Sequence, residues 1–111
     1  MSAAGRVLLD ECVPRRLRLE LQGLDVSTVP DEGWASRRNG DLLRLMLAGG
    51  FTVFVTMDRN LAYQQNVAAA GVAVVVLRAR TNRLRDLLPL MPHLREAIGA
   101  AQPGTVSQVV G

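Results

Sequence analysis

The sequence predicts an α/β fold built on a mainly parallel sheet, and three observations carry that expectation. Apolar strand-like runs alternate with segments of helical spacing along the whole chain, which is the pattern of a parallel α/β sheet. The run VAVVVL (72–77) is continuously apolar and β-branched, as a strand buried on both faces must be. Acidic residues follow within two positions of two of the strand-like runs, where open α/β sheets bind their ligands.

Each element has its own local reason. Residues 6–9 form a short apolar strand that runs into Asp10 and Glu11. Pro14 suits a first helical turn, and Leu17, Leu19 and Leu21 fall in a helix closed at Gly23. LDVSTVP (24–30) alternates as a second strand, and DEGWASRRNG (31–40) reads as a loop. Residues 41–48 are helical, with Leu42, Leu43, Leu45 and Met46 at helical spacing, and Gly49 and Gly50 stop them. FTVFVT (51–56) is rich in β-branched and aromatic residues and is a third strand. A further helix is expected from Asn60 to Ala70, closed by Gly71 ahead of the strand at 72–77. NRLRDLLPLMPHLREAIGAA is helical but interrupted at Pro89 and Pro92, and GTVSQVVG offers a last strand. A chain of 111 residues with 49% apolar content suits a single domain, residues 1–111.

Composition narrows the function classes. No apolar run approaches the roughly 18–20 residues of a membrane span, and the N-terminus meets acid too soon for a secretory signal. A cytoplasmic protein without a membrane partner is expected. Cys12 is the single cysteine, which excludes an internal disulfide and a cysteine-based zinc site. All 13 basic residues are arginine, and a net charge of +3 favours an anionic partner such as nucleic acid. Arginine pairs bidentately with phosphate, which lysine does not.

The candidate chemistry lies in the acids at the strand ends. Asp10 and Glu11 follow the first strand, Asp58 follows the third, and Asp41 opens the helix that feeds the third. Carboxylates gathered in one cleft repel one another unless a cation or protons relieve them, and Mg2+ or Mn2+ prefers such oxygen-rich sites. A bound ion of that kind activates water and offsets charge on a phosphate. The competing reading is local: Asp10 and Asp58 as turn and cap acids, Asp41 as an acid favoured by the dipole of its helix. Trp34, in a loop with Arg37 and Arg38, is either an aromatic facing RNA or a hydrophobic anchor for that loop. Tyr63 and Gln64 are either nucleic-acid contacts or part of a solvated helix face. Arg15, Arg16 and Arg18 near the first acids, with Arg78, Arg80, Arg83 and Arg85 after the fourth strand, either line a phosphate path or form a solvated face. His93 reads as a surface helix residue, and Cys12 as a small packed side chain.

The blocks VLLDECVPRRLRLEL, DVSTVPDEGW, NGDLLRLM, FVTMDRNLAYQQN and VAVVVLRARTNRL, taken in order, resemble the small stand-alone PIN-like proteins. Many of these are toxin components of bacterial toxin–antitoxin pairs, akin to VapC-type toxins. The resemblance covers residues 6–94 and rests most on LLDE and VTMDRN. It implies a three-layer α/β/α sandwich around a mainly parallel sheet. It further implies a Mg2+- or Mn2+-dependent endoribonuclease held inactive by a cognate antitoxin, commonly as a homodimer. Carried over, the metal-holding and catalytic acids are Asp10, Asp41 and Asp58. The position at which many relatives have a further acid is Asn60 here, and Glu11 is an additional acid beside Asp10. Arg59 joins Arg15, Arg37 and Arg38 as an expected RNA contact. Asn60 carries no charge, so the alternative is a catalytically degenerate PIN-like module that binds RNA or a protein partner without cleavage. A phospho-receiver shares the acids but reads its phosphoryl group with a lysine, and this chain has none.

Overall fold

In the computed structural model, residues 5–37, 39–58 and 71–110 are described. Five strands form one parallel sheet: β1 (Arg6–Leu9), β2 (Val26–Thr28), β3 (Phe51–Thr56), β4 (Ala73–Arg78) and β5 (Val106–Val110). Their order across the sheet is β2-β1-β3-β4-β5. Every neighbouring pair is parallel. The α/β fold expected from the alternation of strands and helices is therefore present.

Burial explains the composition of the central strands. In β1, Val7, Leu8 and Leu9 are all fully buried, because successive side chains enter opposite faces and both faces are covered. Val7, Leu9, Val53, Val55, Val75 and Leu77 pack with Leu17, Leu21, Leu87, Leu90, Leu94 and Ile98 in one apolar cluster. Leu8, Phe54, Val74 and Val76 belong to a second cluster, with Leu42, Leu43 and Met46 of helix α1 (Asn39–Ala48).

Two elements differ in kind from the expectation. The segment after Pro14 is a 3-10 helix, Arg15–Leu21, and not an α-helix. Length supplies the reason. A parallel crossover has to return along β1, whose four residues span about 13 Å at ~3.3 Å each. Seven residues rise about 14 Å as a 3-10 helix, at ~2.0 Å each. As an α-helix they would cover only about 10 Å. Leu17 and Leu21 still face the core, and Leu19 is turned to solvent. Near the C-terminal end the expected interrupted helix resolves into three pieces. These are α2 (Leu84–Leu87), a 3-10 turn (Leu88–Leu90) and α3 (Met91–Ala100). Each proline opens a new piece within its first turn, where a missing N–H costs no hydrogen bond. His93 lies exposed on α3, as expected. The helix expected over 60–70 lies outside the described residues. Among the described residues, no helix is long and apolar enough to cross a membrane.

Candidate functional site at the β1–β3 crevice

The strand order creates one special place. The chain leaves β1 for β2 on one side and later returns to β3 on the other. Connections from the carboxyl ends of β1 and β3 therefore diverge, opening a crevice of the kind in which α/β sheets bind ligands. Register fixes what lies there: Leu9 is paired with Val55, so Asp10 falls beside Thr56 and just before the turn that carries Asp58. The Asp10 N–H donates to the Val55 carbonyl at 2.9 Å, which extends the ladder to the acid itself.

Thr56 ties the Asp10 carboxylate to the backbone of Asp58. Its hydroxyl is completely buried, donates to Asp10 Oδ2 at 2.6 Å and accepts the Asp58 N–H at 3.0 Å. Asp10 Oδ1 accepts the N–H of Glu11 at 2.8 Å. The Cys12 thiol lies 3.6 Å from Asp10 Oδ2 as a donor and 3.8 Å from the Thr56 hydroxyl. Burial pushes the thiol pKa up, and the negative charge of Asp10 adds to that, so Cys12 holds its proton and donates it. Asn82, beyond β4, donates to the Cys12 carbonyl at 3.0 Å and pins the turn after β1 from a second side.

The other predicted residues divide by location. Glu11 does not turn towards Thr56; its Oε1 accepts the Ser36 N–H at 3.1 Å and holds the loop between β2 and α1. Ser36 has φ of 70°, a left-handed conformation uncommon outside glycine. Asp41 is in the first turn of α1, towards the same carboxyl end of the sheet, because α1 must run back to the start of β3. Its carboxylate is ion-paired with Arg44, one turn along its own helix. Among the described residues, no three His, Cys, Asp or Glu side chains converge as metal ligands. Arg15 and Arg18 both pair with Asp31, at 2.7 and 3.2 Å, while remaining 61% and 45% exposed. With Arg16 and Leu19 they line an open surface pocket of about 320 Å³. Trp34 packs edge-on against Phe51, with centroids 5.7 Å apart, and is partly buried against the second apolar cluster. Arg37 is exposed in the same loop. Arg38, Arg59, Asn60, Tyr63 and Gln64 lie outside the described residues.

The sequence reading missed Thr56, Ser36, Asn82 and Asp31. A threonine closing a strand reads as a β-former, and only the register beside Leu9 reveals its hydroxyl as a partner for an acid. No family model matches this chain, and neither a curated protein nor a solved structure does.

Proposed function

We propose that this chain is a PIN-like α/β/α protein acting as a Mg2+- or Mn2+-dependent endoribonuclease, the toxin of a toxin–antitoxin pair. The observation that supports this reading most is that the Asp10 carboxylate and the backbone N–H of Asp58 share one buried hydroxyl at the β1–β3 crevice. The donor set fits a hard cation in kind. It consists of oxygens alone, and Mg2+ is commonly held by one or two carboxylates with waters completing the shell. Among the described residues, Asp10 Oδ1 accepts a single hydrogen bond, which leaves it electron pairs for an ion.

When bound, the ion would activate a water and offset charge at the attacked phosphorus. Asp10 and Asp58 would hold it, and Thr56 would fix the Asp10 carboxylate through the hydrogen bond to Oδ2. Asp41 would join only on releasing Arg44. Exposed arginines on this side, Arg15 and Arg37 among them, would take the phosphates of the strand. The cognate antitoxin would bind the same protein and silence it.

A second reading keeps the scaffold without cleavage, as a module that binds RNA or a protein partner. The double engagement of Asp10 Oδ2 and the pairing of Asp41 with Arg44 favour it. Mn2+ titration followed by electron paramagnetic resonance separates the two readings. The nuclease reading expects saturable binding that is lost in Asp10→Asn and Asp58→Asn, and RNA cleavage that follows the same pattern. Folded wild-type protein that binds no Mn2+ at millimolar concentration, with or without RNA, would overturn it.

A further inference from the structure

The 3-10 helix between β1 and β2 carries three arginines within four residues, Arg15, Arg16 and Arg18. Side chains three apart eclipse one another in such a helix. Arg15 therefore stands over Arg18, and Arg16 over Leu19 in the next row. These four side chains line the open pocket of about 320 Å³, near the lower limit of small-ligand sites. All four are exposed, and Leu19, at 58%, is as bare as any large apolar residue described.

One carboxylate prepares two of the arginines. Asp31 Oδ1 accepts from Arg15 at 2.7 Å, and Asp31 Oδ2 accepts from Arg18 at 3.2 Å. Asp31 is itself anchored, because its N–H donates at 3.1 Å to the hydroxyl of Thr28, a β2 residue that is 1% exposed. The shared acid holds the two guanidinium groups side by side near the end of β2. Each keeps most of its five N–H donors. Heads held in this way lose little further freedom on meeting a ligand. Arg16 is different: among the described residues its side chain has no ion-pair or hydrogen-bond partner. Three guanidinium groups against one carboxylate leave the pocket with a net charge of +2.

We propose that this pocket binds a nucleoside monophosphate, with the phosphate on the three arginines and the base against Leu19. Charge and oxygen count select the terminal group. A phosphate monoester presents three acceptor oxygens and a charge of about −1.5 to −2 near pH 7, which answers three guanidinium groups and a net charge of +2. A phosphodiester inside a nucleic-acid strand has two free oxygens and a single charge, and a carboxylate engages one guanidinium fork. Leu19 adds what inorganic phosphate does not need, an apolar ledge for a flat ring, and covering it favours binding in proportion to the area removed from water. The charge of Asp31 is already met by Arg15 and Arg18, so the acid spaces the arginines more than it repels a ligand. The site needs neither a metal ion nor cleavage, and it stands or falls apart from the nuclease reading.

The test is isothermal titration calorimetry in buffer freed of divalent metal by a chelator. Adenosine monophosphate, cyclic AMP, adenosine and inorganic phosphate are the probes. Adenosine monophosphate is expected to saturate a single site. Cyclic AMP, a diester with one charge, should bind at least about tenfold more weakly, and adenosine more weakly still. Arg16→Gln removes an exposed guanidinium that supports nothing else among the described residues, and should weaken adenosine monophosphate about tenfold or more. Leu19→Ser should weaken it roughly threefold to tenfold and leave inorganic phosphate unchanged. Arg85→Gln deletes the same charge at an exposed position of α2 and should change the affinity less than about twofold. Folded wild-type protein that shows no saturable binding of adenosine monophosphate at millimolar concentration would overturn the proposal. Equal affinity for cyclic AMP would overturn it too, and would leave the arginines as contacts for a strand backbone. An Arg85→Gln effect as large as that of Arg16→Gln would do the same, because diffuse charge would then account for the binding. Leu19→Ser protein that binds the nucleotide as wild type does would overturn the assignment of the base.

Discussion

Replacing Thr56 by valine preserves the outline of the side chain and deletes its hydroxyl. The hydroxyl is fully buried and serves two partners, the Asp10 carboxylate and the Asp58 N–H. A hydrogen bond to a charged group contributes about 1.5–3 kcal/mol, and a buried polar group left without a partner costs about 1–3 kcal/mol. The terms overlap, since Asp10 is only partly buried and can recruit water, so the expected loss is about 2–4 kcal/mol. For a chain near 100 residues that corresponds to a fall in Tm of about 8–16 °C. Urea denaturation of wild type, Thr56→Val and Thr56→Ser measures it directly. Serine keeps the hydroxyl and loses one methyl, and should cost only about 1 kcal/mol. A double-mutant cycle with Asp10→Asn should return a coupling of at least about 1 kcal/mol, as groups in direct contact do. On the proposed nuclease reading, a Thr56→Val variant that still folds should bind Mn2+ about 10–100-fold more weakly, the usual effect of removing a hydrogen bond that orients a ligand. Valine within about 0.5 kcal/mol of wild type, below the usual worth of one hydrogen bond, would refute the reasoning. So would serine as damaging as valine.

Three further outcomes follow from particular contacts. Leu94→Ala empties a fully buried position of α3 and should cost about 2–5 kcal/mol in urea denaturation. Ser36→Gly relieves a left-handed backbone and should gain about 0.5–1 kcal/mol, provided the N–H bond to Glu11 is kept; a loss of stability would show that the serine side chain matters more than its φ. Cys12 should react with iodoacetamide at pH 8 far more slowly than in the urea-unfolded chain, because burial raises its thiol above the ordinary value of 9.0. The sign for stability follows from the same shift: the contribution is complete below pH 9.0 and is lost above it, where the unfolded chain releases the proton first.

What could be read from the sequence depends on whether a signal is local or needs two distant segments at once. FTVFVT became β3 residue for residue, and the predicted run at 72–77 became β4 with a shift of one, because buried parallel strands are written as unbroken β-branched runs. That topology alone sends Asp10 and Asp58 to the carboxyl end of the sheet, on the neighbouring strands β1 and β3. The kind of helix after Pro14 was not written in its leucines, since spacing reports which face is buried and not the distance the crossover must span. Pairings across loops were hidden for a related reason. Arg15 and Arg18 read as a basic run near the first acids, yet both reach Asp31, which the second strand brings alongside. Glu11 reads as half of an acid pair, yet its carboxylate holds Ser36, far along the chain. Adjacent acids on a turn diverge, so Asp10 gains its neighbour from register: Leu9 against Val55 places Thr56 beside it. The arrangement at the crevice therefore depends less on how many acids follow β1 than on one hydroxyl at the end of β3. A chain that kept LLDE but replaced that hydroxyl with a methyl group would keep the acids and lose the hydrogen bonds that tie the Asp10 carboxylate to the backbone of Asp58.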